Sequence, residues 1–258
     1  MRAHRPSISS NLALGLLSAS LTAALFLIVL LLVNGWGLTP LGAAVVMTAM
    51  PATAAITYRV LPTPPSPTAE AASGLILVAG GLAALASIPG KGWWWTLPQQ
   101  ALIGAGLAMA LGALTRLALM GRTPLAIHGG WTIAARHAGV VLALLVLTPV
   151  FTHDLQAQET AAEQAGARLV IEAPIPLADK IELGTRLEKA IGSGSPSRPP
   201  DIHPAFASLG TTDDASRLEA AIQDQVDRAV TQAFSRSFLF ASLFALAALV
   251  PLGIRRLT

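Results

Sequence analysis

With 258 residues, of which 53% are hydrophobic and 12% charged, the chain is far from a soluble domain, where about a quarter of residues are charged; it reads as an all-α, polytopic membrane protein. The net charge of +3 conceals a segregation. Thirteen of the fourteen acidic residues lie between Asp154 and Arg228 among seven basic ones, Arg228 included, whereas the rest of the chain sets ten basic residues against Glu70 alone. Such a pattern fits basic membrane edges and one acidic soluble region, so the high pI is no argument for nucleic acid. The absence of cysteine excludes disulfides, thiolate metal sites and cysteine nucleophiles.

The basic head with Arg2 and Arg5 and the apolar run behind it resemble a signal peptide. The run continues to Val33, about 22 residues, enough for a ~30 Å hydrocarbon core, so it is expected to be a retained transmembrane helix. Asn34, Gly35, Trp36, Gly37 and Pro40 predict a turn, and a second span follows from Leu41 to about Tyr58. Four prolines between Arg59 and Thr68 predict a surface loop. A third span is expected from about Ala71 to Ile88, then an aromatic belt at Trp93, Trp94 and Trp95, and a fourth span from Gln99 to Met120. Within it Gly104, Ala108 and Gly112 recur every four residues, a spacing that lets helix backbones approach closely. A turn containing Arg122 and His128 leads to a fifth span, Trp131 to Phe151, and the sixth runs from Phe238 to Ile254.

Six spans put both termini on one side. Arg2, Arg5, Arg59, Arg122, Arg255 and Arg256 fall on that side and only Lys91 in the short loops opposite, so the positive-inside rule makes both termini cytoplasmic, in the cell (inner) membrane. The expected domains are a membrane part over 1–151, an acidic extracytoplasmic helical insertion between helices five and six over 152–235, and the last helix with a cytoplasmic tail over 236–258. Inside the insertion, Leu155 to Ile171 extends the fifth helix and Leu177 to Ile191 forms a second. A Gly, Ser and Pro linker covers 192–200. Thr211 or Thr212 caps a third helix, whose Leu218, Ile222, Val226, Val230 and Phe234 form one apolar face; it runs towards the sixth span. The insertion is expected to be a small helical cap packed on the membrane part.

Chemistry-bearing motifs are few. No nucleotide-binding glycine loop, nucleophile motif or metal-ligand spacing occurs among the five histidines, so neither an enzyme nor a cofactor is expected. Attention falls on Arg116, Arg136 and His137, because guanidinium groups at membrane depth reach the interface or line a polar cavity. Arg116 lies about five residues, or roughly 7 Å, inside its helix and can snorkel to the surface. Arg136 and His137 are candidates for lining or gating a substrate path. No Asp or Glu falls within any predicted span, so the carboxylate on which a proton-coupled carrier depends is missing.

The runs Val33-Asn-Gly-Trp-Gly-Leu-Thr-Pro-Leu41, Leu102-Ile-Gly-Ala-Gly106, Gly130-Trp-Thr-Ile-Ala-Ala-Arg-His-Ala-Gly139 and Leu147-Thr-Pro-Val-Phe151 resemble the carboxy-terminal half of major facilitator superfamily transporters, most nearly the fourteen-helix drug:proton antiporter branch. Ala135, Arg136 and Gly139 match an Ala-Arg-x-x-Gly signature of that branch, and the resemblance covers nearly the whole chain. It implies one wall of an efflux path for hydrophobic or cationic small molecules. Such transporters are about twice this length, with the path between two six-helix halves. The Gly-x-x-x-Asp-Arg-type loop and the antiporter motif of their amino-terminal half are missing. Two readings follow: a half-transporter that needs a second membrane half or an oligomer, and a non-transporting subunit or scaffold whose extracytoplasmic region binds a protein partner.

Overall fold

The computed structural model describes residues 7–60, 66–88, 92–173, 176–192, 203–206 and 213–254, and every regular element among them is helical. α1 (Ile8–Leu30) ends in a wide π turn, Leu31–Gly35. α2 (Pro40–Met47) and α3 (Ala49–Val60) form one broken rod, followed by α4 (Pro67–Leu85), a 3-10 turn at Trp93–Trp95 and α5 (Thr96–Leu119). α6 (Leu125–Glu172) is 48 residues long; α7 (Leu177–Gly192), α8 (His203–Phe206), α9 (Asp213–Ala247) and α10 (Leu249–Ile254) complete the order.

Local chemistry sets these boundaries. Thr39 and Ser66 each accept a bond from a backbone N–H three residues on, Gly42 and Ala69 respectively, and each precedes a proline at the first helical position. Pro67 therefore starts a helix here, where its proline-rich surroundings predict only a loop. The breaks after Met47 and Ala247 lie four residues before Pro51 and Pro251, where a proline deprives the carbonyl of its N–H partner. α6 nevertheless continues through Pro149, and Thr152 donates to the carbonyls of Thr148 and Pro149 at 3.0 and 3.1 Å.

Six helical segments are long and apolar enough to cross a membrane: Ile8–Gly35, Pro40–Val60, Pro67–Leu85, Trp93–Leu119, Leu125–Asp154 and Phe234–Ile254. α1 is the hub, touching α5, α6, α9 and α10, with Leu14, Leu17, Leu27 and Ile28 fully buried. α3, α5, α1 and α6 form a row, and α4 and α9 pack behind it. Serine hydroxyls fasten α9 to α1 and to α4. Ser20 donates to the Ala241 carbonyl, and Ser242 and Ser235 donate to those of Ala79 and Ala86.

The packing has an internal symmetry that no residue-level repeat in the sequence announces. Exchanging spans one, two and three for four, five and six turns the first–fifth contact (α1 on α6) into the fourth–second contact (α5 on α3), and the third–fourth contact (α4 on α5) into the sixth–first (α9 on α1). The first–fourth and third–sixth contacts map onto themselves. Buried shares follow suit at 56, 22 and 50% for the first three spans and 50, 17 and 44% for the last three. The tightest crossings also correspond: Gly15 meets Gly139 and Gly104 meets Met50, with equal sequence separation from Gly15 to Gly104 and from Met50 to Gly139. Only the α6/α9 hairpin lacks a counterpart of its size.

Beyond that hairpin the distal part of α6, α7, α8 and the start of α9 enclose a second core of Val170, Ala173, Leu183, Leu187, Ala205, Phe206, Leu218 and Ile222. It is separate from the core of the spans. The expected extension of the fifth helix, the helix from Leu177 and the run of the last amphipathic helix into the sixth span are all present. The linker at 193–200 and the caps at Thr211 and Thr212 lie outside the described residues.

Candidate functional site

The four residues singled out in the sequence do not converge on one site. Arg116, in the last turn of α5, pairs with Glu70 in the first turn of α4. Glu70 is only 7% exposed, while the Arg116 side chain is 46% exposed. Arg116 is thus a partner for a buried carboxylate, in addition to its reach towards the interface.

Arg136 and His137 lie elsewhere, on α6. With Ile133 and Val140 they face Ser18, Leu21 and Thr22 of α1 across a surface groove of about 240 Å³. The His137 ring holds the Ile133 carbonyl at 2.9 Å through Nδ1, which leaves Nε2 for other contacts. Among the described residues Arg136 makes no hydrogen bond or ion pair. An exposed, unpaired guanidinium beside the Ser18 and Thr22 hydroxyls in an otherwise apolar wall can receive an anionic or hydrogen-bonding group.

Gly139 sits below that groove and is buried against α1, where a Cβ would collide with the Gly15 carbonyl. Its visible role is to bring α6 close to α1. The same device operates on two sides of α5: Gly104 faces Met50, while Gly106 and Ala110 face Gly74, with the Gly106 carbonyl 2.6 Å from a Cβ on Gly74. The Gly104, Ala108 and Gly112 row anticipates only the first of these, since Gly112 meets nothing closer than its own helix's Arg116.

Two carboxylates lie within the spans, contrary to the expectation of none. Glu70 belongs to the third because the Ser66 cap starts α4 four residues early. Asp154 ends the fifth because α6 does not stop at Phe151. Asp154 is 6% exposed; Oδ1 lies 3.4 Å from an Arg236 guanidinium nitrogen and 3.8 Å from His153 Nδ1, and Oδ2 is buried without a partner. A signal was present: Ala143, Leu147, Phe151 and Asp154 follow helical spacing, which places the carboxylate on the buried face. His128, expected in a turn, is inside α6, 2% exposed, with Nδ1 unpartnered.

Among the described residues no group of three His, Asp or Glu side chains could hold a metal ion. Compared with protein families, curated proteins and solved structures, the chain gives no match.

Proposed function

We propose that the chain is half of a secondary, proton-coupled efflux transporter for hydrophobic or cationic small molecules, and that it works against a second six-helix half. The observation that carries this reading is the exchange symmetry of the six spans. Three spans per unit is an odd number, so the two units are inverted with respect to the membrane, the repeat architecture found within each half of such carriers. Their middle members, α3 and α6, are the least buried spans and flank the α5/α1 pair. A second half seated on the α3/α5/α1/α6 row would bury them and enclose the Arg136 and His137 groove as part of a path. The basic residues orient both termini to the cytoplasm, which puts the α6–α9 insertion outside.

Single cysteines test the pairing, since the chain has none of its own. Cysteines replacing Ile56 on α3 and Ile133 on α6, both exposed, are expected to cross-link to a neighbouring bundle in native membranes; one replacing Ile76 on α4 is not. Cross-linking through Ile76 alone would overturn the reading. Proteoliposomes holding this chain without a second half should show no proton-driven efflux.

The distal core favours a second reading. A helical region with its own buried Leu183 and Phe206 is able to present a surface to a protein partner, as a non-transporting subunit or scaffold would. Purification with an unrelated membrane subunit, and without a second six-helix half, would favour it.

A further inference from the structure

The groove between α1 and α6 holds polar groups that the packing does not call for. Arg136, Ser18 and Thr22 line it, with Leu21, Val140 and His137 around them. Among the described residues none of Arg136, Ser18 and Thr22 makes a hydrogen bond, and neither hydroxyl oxygen is sealed from the surface. Thr115, Thr132 and Thr152 show what a hydroxyl within a span otherwise does, each donating to the carbonyl four residues back. The internal symmetry of the bundle supplies a comparison. The offset that carries Gly15 to Gly104 and Met50 to Gly139 also carries Ser18 to Leu107, Thr22 to Leu111 and Met47 to Arg136. At the equivalent crossing all three positions are apolar, so close contact of the helices does not require a guanidinium and two hydroxyls.

Depth sharpens the contrast. At 1.5 Å per residue Arg136 lies about 5 Å from the middle of the segment Leu125–Asp154, and Ser18 and Thr22 lie no further from the middle of Ile8–Gly35. In a hydrocarbon core of ~30 Å the guanidinium is then about 10 Å below the nearer headgroup level, where an unpaired charge is costly and an ionic partner counts most. We infer that the groove binds the carboxylate of an amphipathic organic acid. The planar guanidinium takes the two carboxylate oxygens side by side, Ser18 and Thr22 donate to the same group, and the apolar body of the acid lies along Leu21 and Val140. The Arg136 charge balances one carboxylate, and no acidic side chain lines the groove to attract a cation. At about 240 Å³ the groove falls short of the ~300–1,000 Å³ of a complete ligand pocket, and a second half would close it. As the substrate class of the carrier the inference rests on the half-transporter reading, which it narrows to hydrophobic compounds bearing an acid, at the expense of cations; as a binding site it belongs to this chain alone.

The test is photolabelling of the full chain in phosphatidylcholine nanodiscs. The probes are dodecanoic acid with a diazirine in mid-chain, its methyl ester and the matching primary amine, and labelled peptides are mapped by mass spectrometry. The acid is expected to label the α1/α6 groove on the order of tenfold more than the ester or the amine, with no such ratio at Met47, Leu107 and Leu111. Arg136→Gln, on an exposed side chain, should bring the acid down to the level of the ester, whereas Arg136→Lys should keep part of the preference. Equal labelling by acid and ester in the native chain, or a preference for the amine, would overturn the inference. Loss of the acid's preference for this groove when phosphatidylglycerol replaces half of the phosphatidylcholine would assign the site to a lipid phosphate and sink the carboxylate claim. Acid-selective labelling without cross-links at Ile56 and Ile133 would leave the site standing and remove the carrier; cross-links without selective labelling would remove the site alone.

Discussion

Gly139 rests on the backbone of Gly15, so that α6 and α1 cross with no side chain between them at that point. Neither backbone can retreat, because Leu14 and Leu17 on one side and Ala143 on the other are fully buried around the crossing. Gly139→Ala is expected to destabilise the bundle by about 1–3 kcal/mol, the range for overpacking, and Gly139→Leu to prevent its assembly. Thermal unfolding in detergent reads this directly; an unchanged midpoint for the alanine variant would show that the helices separate more easily than their packing implies.

The Glu70 and Arg116 pair is asymmetric, and its variants should be too. Arg116→Ala leaves a buried carboxylate without its cation, a loss of about 1–3 kcal/mol after allowance for the half-exposed guanidinium. Glu70→Gln leaves an arginine that reaches water, and should cost about 1 kcal/mol or less. Denaturant unfolding of both variants and of Glu70→Gln/Arg116→Gln gives the coupling; the opposite order of single-variant costs would refute this account.

Arg136 stands apart from both. It is exposed and has no partner among the described residues, so Arg136→Ala should change stability by no more than about 0.5 kcal/mol. If the groove belongs to a substrate path, efflux by the assembled carrier falls while the unfolding midpoint stays. A fall in both together would assign Arg136 to packing.

Orientation is open to direct labelling. In sealed cells a cysteine replacing Ser195 should react with a membrane-impermeant maleimide added outside, and one replacing Arg122 should react only after the membrane is opened. The reverse pattern would turn the bundle over, and reaction at both sites in sealed cells would mean that α6 does not cross the membrane between them.

The distal core makes a separate demand. Leu183 is 1% exposed there, and Leu183→Ala should cost about 2–4 kcal/mol locally, the range for emptying a buried leucine position. Hydrogen exchange should quicken in α7 and the start of α9 and stay unchanged in α1, α4 and α5. Faster exchange throughout would mean that the two cores unfold as one.

The six spans were legible because a long apolar helix has one strong signature, and each predicted centre falls within an observed helix. What escaped was at the ends. Glu70 falls between the loop expected to end at Thr68 and the span expected from about Ala71, because four prolines nearby outweigh one Ser-Pro cap, and Asp154 falls three residues past an expected span end at Phe151. The exchange symmetry escaped for a different reason. It resides in which helices touch, and equivalent positions such as Met50 and Gly139 meet the same geometric need with different residues. Only the resemblance singles out Arg136 together with Gly139, which lie one turn apart on the same side of α6, the first exposed and the second buried against α1.

An unbroken helix of 48 residues is also a lever. With its fulcrum at the Gly139 crossing, α6 has some 33 residues beyond the pivot, about 50 Å at 1.5 Å per residue, so a tilt of about ten degrees sweeps the outer tip through roughly 9 Å. Small rocking strokes inside the lipid are thereby geared up into broad travel at the outer knob, and a hand laid on that knob would hold the oar still.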